Sequence, residues 1–322
     1  MTAAIHQPIT VVYSNHRPET LAPAAEHMGD YDAIVLEEPE FPGFRAMLAG
    51  ALSIEDYLLE NDFQFPEFER RSCELFRKLS HQGKTLYQCD PYMTRLDEIH
   101  SLFAAGGKPG DIDPHSPLGI VYSMEKRWSA ALLANYEHCP IEAFDGLVTQ
   151  VQHFARADAA RGRLRDELRA AAIAGLAGRH QRLYIEAGSL HVYLLSALAK
   201  HLPPSQRPRP VYLMAPLIRS LCGRRQALGP GDHLTLLYTY QPDFRGKRAD
   251  LLAARNLVHT LLAEKDEFPE GAQTFPHTRH EVAINTLVAQ LDYEASKHLY
   301  GRILGRPAAA ALEIVENYLA SR

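Results

Sequence analysis

Cysteine is scarce and dispersed. The four thiols, Cys73, Cys89, Cys139 and Cys222, form no CxxC pair in 322 residues, which argues against a zinc-finger framework and predicts reduced thiols in a cytoplasmic protein. No apolar run reaches the roughly 18 residues that a membrane-spanning helix needs, so no membrane contact is expected. The opening MTAAIHQPITVVY has neither a basic n-region nor a hydrophobic h-region, and a secretory signal is not expected. Basic residues are outnumbered, 34 Lys and Arg against 39 Asp and Glu, and they are scattered. A nucleic-acid footprint needs them clustered against phosphates, so nucleic acid is not an expected partner. The densest basic stretch, Arg156 to Arg182, is interrupted by Asp158, Asp166 and Glu167 and reads as a solvated helix face. GxGxxG, Walker A, GxSxG and HExxH motifs are all missing, which removes support for dinucleotide binding, P-loop chemistry, serine hydrolysis and zincin chemistry.

What remains is an average globular composition, 46% hydrophobic and 23% charged. Short β-branched or apolar runs predict strands at Ile9–Ser14, Ala33–Leu36, Thr85–Cys89, Leu183–Ile185, Val211–Met214 and Leu234–Tyr238. Gly229-Pro230-Gly231-Asp232 reads as the turn before the last of them. Helical spacing predicts helices over Pro18–His27, Phe68–His81, Leu118–Ala134, Ile141–Arg179, Arg248–Lys265, Thr278–Tyr300 and Ala308–Ala320. Strands separated by helices favour an α/β fold with a mostly parallel or mixed central sheet flanked by helices. The expected layout is an α/β domain over 1–240 with a helical insertion at 41–81, followed by a C-terminal helical subdomain over 241–322. The Phe- and Pro-rich Phe41–Pro66 stretch reads as a cover for a cleft. Phe275-Pro276-His277-Thr278-Arg279-His280-Glu281 reads as a capped helix start with solvated histidines.

Ionisable residues follow the predicted strands. The first ends at Ser14-Asn15-His16-Arg17, the second at Glu37-Glu38-Pro39, the third at Asp90-Pro91-Tyr92 and the fourth at Glu186-Ala187-Gly188-Ser189-Leu190-His191. Singly each has an ordinary structural reading: a turn opener, a loop charge, a helix cap. At four strand ends together they point to a site, because ligands of open α/β sheets bind outside the carboxyl ends of the strands. Two imidazoles with carboxylates suit a divalent metal with open positions, which activates water and polarises a carbonyl.

Gly188-Ser189-Leu190-His191, after a strand and before a helix, resembles the GxxH motif of the TraB/Tiki group, which is related to the erythromycin esterases and the ChaN-like haem-binding lipoproteins. Tyr13-Ser14-Asn15-His16 resembles the first GxxH or GExH motif of that superfamily, with Tyr13 standing for its Gly and Ser14 for the Glu of some branches. Ala33–Glu37 resembles its strand ending in Glu. The resemblance spans about residues 9–240. It implies an α/β domain with the paired motifs at one sheet edge, in a superfamily of metal-dependent proteases, macrolide esterases and haem-binding proteins. By position, His16 and His191 would be the paired histidines and Glu37 the acidic partner holding a divalent ion (Mn, Fe, Co or Zn). Placement adds Glu186 or Glu38 as the group that takes a proton from water and Arg17 as the stabiliser of an oxyanion. The expected function is a metal-dependent hydrolase of an ester, amide or peptide bond with a small-molecule or peptide substrate. A homo-oligomer is compatible with it. The alternatives are a protein that binds haem or another cofactor, with Tyr13, Tyr92, Tyr184 and Tyr193 near the histidines, and a non-haem metal redox enzyme.

Overall fold

Ile9–Ser14 (β1) is buried at every residue, as parallel strands covered on both faces must be. The computed structural model describes residues 9–61, 65–136, 143–268, 271 and 273–322; Cys139 lies outside them. After β1 the chain makes Leu21–Gly29 (α1), Ala33–Leu36 (β2), Phe44–Leu48 (α2), Ile54–Leu59 (α3), Pro66–His81 (α4), Thr85–Gln88 (β3), Pro91–Ala104 (α5) and Pro117–Tyr136 (α6). There follow the 34-residue helix Phe144–Ala177 (α7), then Leu183–Gly188 (β4), Tyr193–His201 (α8), Arg209–Tyr212 (β5) and Ala215–Cys222 (α9). Pro230–Tyr240 (α10), Lys247–Leu262 (α11), Pro276–Val288 (α12), Tyr293–Ile303 (α13) and Ala308–Ala320 (α14) complete the chain.

These elements form two compact units, one of Met1–Tyr122 with Arg163–Met214 and the other of Ser123–Gly162 with Ala215–Arg322. The first unit is built on a five-stranded parallel sheet in the order β3-β2-β4-β1-β5. On one face Val11, Val35 and Ile185 pack with Ala170, Ile173 and Ala177 of α7 and with Leu194 and Leu198 of α8. On the other face Val12, Ile34, Leu36 and Tyr184 pack with Met28, Met47, Tyr57 and Phe76. The fold is thus the expected α/β sheet flanked by helices.

In the second unit α10 and α11 bury Leu234, Tyr238, Ala249 and Ala253 together with Val148 and Val151 of the first half of α7. Val258 and Leu262 share a further core with Ile284, Leu299 and Val315. The second unit thus takes residues 123–162 together with the C-terminal helices.

Four local expectations are corrected. Leu234–Tyr238 is helical: Pro230 opens α10 with its ring at the first turn, Asp232 accepts the Gly229 N–H at 2.8 Å, and Leu234 and Tyr238, four residues apart, share the buried face. Thr278–Tyr300 is two helices, because Asp292 caps α13 by accepting the Ala295 N–H. His277 is buried rather than solvated, its Nε2 accepting the Phe268 N–H at 2.9 Å. Phe44, Met47, Leu48, Ile54 and Tyr57, read as part of a cleft cover, are core residues beneath the sheet.

Ile173→Ala, at a position with no exposed surface, is expected to cost about 2–5 kcal/mol in denaturant unfolding. Leu59→Ala, at an exposed position, should stay within about 0.5 kcal/mol of the parent; equal losses would contradict this core.

Candidate functional site

Parallel register sets the strand ends level. Ser14 pairs with Gly188, Val35 with Ile185 and Leu36 with Gln88, so the residues that follow β1, β2 and β3 meet those ending β4 at one sheet edge. Beyond that edge lies the second half of α7. Asp166, Ala170, Ile173 and Ala177 recur at intervals of four, three and four and form its buried face; Arg165 and Arg169 flank it, one turn apart.

Arg169 has no solvent exposure. Its Nε donates to the Cys89 carbonyl at 3.0 Å, and its Nη2 donates to the carbonyls of Glu186 at 3.0 Å and Leu36 at 3.5 Å. One guanidinium thus satisfies main-chain acceptors at the ends of three adjacent strands. Its Nη1 lies 3.5 Å from Glu37 Oε2. Arg165 reaches Glu37 Oε1 with Nη2 at 3.1 Å and Asp90 Oδ2 with Nε at 2.5 Å. Asp90 in turn caps α5 by accepting the Met93 N–H at 3.2 Å.

Glu37 is the centre of this network. Besides both arginines, Oε2 accepts the Gly188 N–H and Oε1 lies 3.0 Å from His191 Nε2. His191 Nδ1 is 2.5 Å from Asp166 Oδ1. Burial alone would raise the Glu37 pKa, but His191, Arg165 and Arg169 together hold it well below the usual carboxylate range. For His191 burial opposes the charged form, yet Glu37 and Asp166 outweigh it and push the imidazole up to about 9. The three acids Glu37, Asp90 and Asp166 stand against the three cations Arg165, Arg169 and His191, an electrically balanced platform.

A second set of groups rests on it. The Glu186 Oε2 accepts the Glu37 N–H at 3.2 Å, and Glu186 Oε1 lies 3.9 Å from His16 Nε2. His16 Nε2 is buried with no hydrogen-bond partner, and the ring stacks on Phe68 at 5.7 Å. His16 holds φ at 48°, a left-handed conformation that L residues seldom adopt and that costs roughly 1–3 kcal/mol. Glu38 Oε2 accepts from Gln88 Nε2 at 2.8 Å, and Gln88 also donates to Tyr57 Oη and accepts the Phe41 N–H. Burial, joined by the charges of Glu186 and Glu37 and resisted by the Gln88 bond, pushes the Glu38 pKa up to about 7.

His16, Glu37 and His191 do come together. A Cβ placed on Gly188 would stand 3.5 Å from the His191 ring, 3.6 Å from Glu37 Oε2 and 3.6 Å from His16 Cε1. Two of the three are already engaged by other groups. His191 Nδ1 faces Asp166, its Nε2 lies against both Glu37 Oε1 and the Arg165 Nη1 at 3.3 Å, and both Glu37 oxygens are engaged by cations and an N–H. Of the three, His16 Nε2 alone keeps a lone pair that no hydrogen bond uses.

Arg17 sits apart from its expected role: its guanidinium lies over the Phe65 ring at 4.2 Å, and no hydrogen bond or ion pair among the described residues joins it to Glu37, Glu186 or His191. Arg165, Asp166 and Arg169 were missed in the sequence, where their stretch read as a solvated face. Asp166 and Arg169 are buried instead, and the apolar periodicity of Ala170, Ile173 and Ala177 was the signal that marked their side of the helix as inward.

No protein-family model matches the chain, and no solved structure matches it. An uncharacterized protein of Archaeoglobus fulgidus is 31% identical over 296 residues, covering 91% of this chain and 97% of the archaeal one. The chain belongs to the same family as that protein.

The His191 pairing makes a pH prediction. An imidazole raised to about 9 from an unfolded value near 6.5 contributes stability that is complete below pH 6.5 and lost as pH rises through about 9. The melting temperature should fall across that window, by an amount equivalent to about 3 kcal/mol, and the His191→Gln variant should lose this slope. An equal slope in the variant would remove the imidazolium from the account.

Proposed function

We propose that this chain, as a member of the family it shares with the archaeal protein, is a hydrolase of an ester, amide or peptide bond that works by acid–base chemistry at the carboxyl ends of β1, β2 and β4. The observation that carries this reading is the contrast in surroundings of two adjacent carboxylates: Glu37 lies against Arg165, Arg169 and His191, which favour its ionised form, whereas Glu38 meets the neutral Gln88 amide and burial pushes it up to about 7. Titratable neighbours driven apart in this way are a common signature of acid and base roles.

In the proposed reaction His16 Nε2 takes a proton from water, and the resulting hydroxide oxygen attacks the substrate carbonyl carbon. The Glu186 carboxylate, 3.9 Å away, compensates the positive charge that His16 acquires. Glu38 in its protonated form donates to the departing oxygen or nitrogen as the tetrahedral intermediate collapses. His16 then returns its proton to solvent and Glu38 regains one, restoring the start. The balanced platform of Glu37, Arg165, Arg169 and His191 keeps these groups in position without moving a proton itself. The left-handed backbone at His16 supports the reading, since strain of this kind gathers at working residues. Metal-dependent hydrolysis remains the competing route, favoured by the convergence of His16, Glu37 and His191 on one point above Gly188.

Alkyl and p-nitrophenyl esters separate the roles. Glu38→Gln should lower kcat on an alkyl ester by about 10²–10⁴-fold and much less on the p-nitrophenyl ester, whose leaving group needs no proton. His16→Gln should depress both. Dialysis against a chelator should leave turnover unchanged. Turnover that collapses with the chelator and returns with Mn(II) or Zn(II) would give the reaction to the metal route, and a Glu38→Gln variant with parental rates on both esters would sink the acid assignment.

A further inference from the structure

The second compact unit contains a cleft of about 350 Å³ that hydrolysis at the sheet edge does not use. Its wall carries three arginines, Arg224 after α9 and Arg248 and Arg255 from α11, beside His233 in the opening turns of α10, whose imidazole is held below its ordinary pKa by burial and by the neighbouring Arg224 and Arg248. The two arginines of α11 are seven residues apart and so share one helix face. Leu228 and Leu252 supply an apolar floor, and no carboxylate is among the described residues that line the cleft.

Arg255 is anchored, its Nε donating to the Leu291 carbonyl at 2.7 Å. Arg224 and Arg248 have no hydrogen bond or ion pair to any described residue, although both stand at the mouth of the same cleft. Arg255 also feels the Asp292 carboxylate outside the lining, but Arg224 and Arg248 bring two further positive charges to the same cleft, and a cleft lined by one sign of charge concentrates the opposite ion. Guanidinium groups bind oxyanions with paired N–H donors, which a single lysine-type charge cannot do. The volume exceeds what an inorganic anion fills and lies at the lower end of small-molecule sites, about 300–1,000 Å³.

We propose that this cleft binds a small organic phosphate, with the phosphoryl group between Arg224, Arg248 and Arg255 and the organic part against Leu228 and Leu252. A phosphate monoester carries a charge of about −1.5 to −2 at neutral pH, which offsets most of the arginine charge, and the apolar floor distinguishes it from the bare anion. This site is separate from the hydrolytic one and does not depend on it.

Isothermal titration of the full chain at fixed ionic strength tests the assignment, with adenosine monophosphate, pyrophosphate, inorganic phosphate and citrate as probes. Saturable binding is expected for adenosine monophosphate, tighter than for pyrophosphate or inorganic phosphate, and weakened at least tenfold in the Arg224→Gln/Arg248→Gln variant. Both side chains are exposed, so that variant should keep the parental circular dichroism and melting temperature. Absence of saturable heat with adenosine monophosphate, binding of pyrophosphate or inorganic phosphate at least as tight as its own, unchanged affinity in the double variant, or citrate binding tighter than every phosphate probe would each overturn the proposal.

Discussion

The first unit depends on a single buried cation, the guanidinium of Arg169. Parallel strands end in carbonyl groups that lose their sheet partners, and buried carbonyls left unpaired are costly. Arg169 donates to three carbonyls near this edge, at Leu36, which also accepts the Cys89 N–H, at Cys89 and at Glu186. A buried cation is itself tolerated only beside a counter-charge, and breaking such a pair typically costs about 3–5 kcal/mol. Glu37 supplies the counter-charge. The position of Glu37 is therefore a requirement of the sheet before it is a feature of any site, and His191, Arg165 and Gly188 are arranged around a carboxylate that the fold already needed.

The separation of Glu37 from Glu38 follows from strand geometry. Successive side chains leave a strand on opposite faces. Val35 packs on the α7 side and Leu36 on the opposite side, and the alternation carries past the end of β2: Glu37 meets the α7 arginines, whereas Glu38 meets Gln88 and its Tyr57 partner on the other face. One face offers cations and the other offers neutral amide and phenol groups. Two identical side chains one residue apart thus acquire different protonation preferences without any special loop.

Local pattern made much of this visible. The strand ends at His16, Glu37, Asp90 and Glu186 could be read because β-branched runs stop abruptly at ionisable residues. The GSLH turn could be read because glycine precedes a helix. The role of α7 was obscured because its charged residues, viewed as a run, resemble a solvated face. Only their phase relative to Ala170, Ile173 and Ala177 marks Asp166 and Arg169 as buried. The Leu234–Tyr238 error has a similar origin. Thr, Leu and Tyr in sequence suit a strand, but packing of Leu234 and Tyr238 on one side selects the helix, as tertiary contacts often override propensity. Arg17 shows the limit of reasoning from adjacency, since its neighbour His16 turns through a left-handed backbone and the arginine goes to Phe65 instead.

The strand order also sets a timetable for biosynthesis. β1 is hydrogen-bonded to β4 and β5 alone, with Ile9 opposite Leu183 and Thr10 opposite Arg209. A ribosome adding about 5–20 residues per second needs on the order of ten to thirty seconds to pass from the first strand to the one that will lie beside it. For that interval a six-residue segment destined for complete burial has no partner within the nascent chain, and β2 can pair only with β3. The arrival of β4 then joins both halves of the sheet in a single event, so the burial of β1 waits on chain elongation.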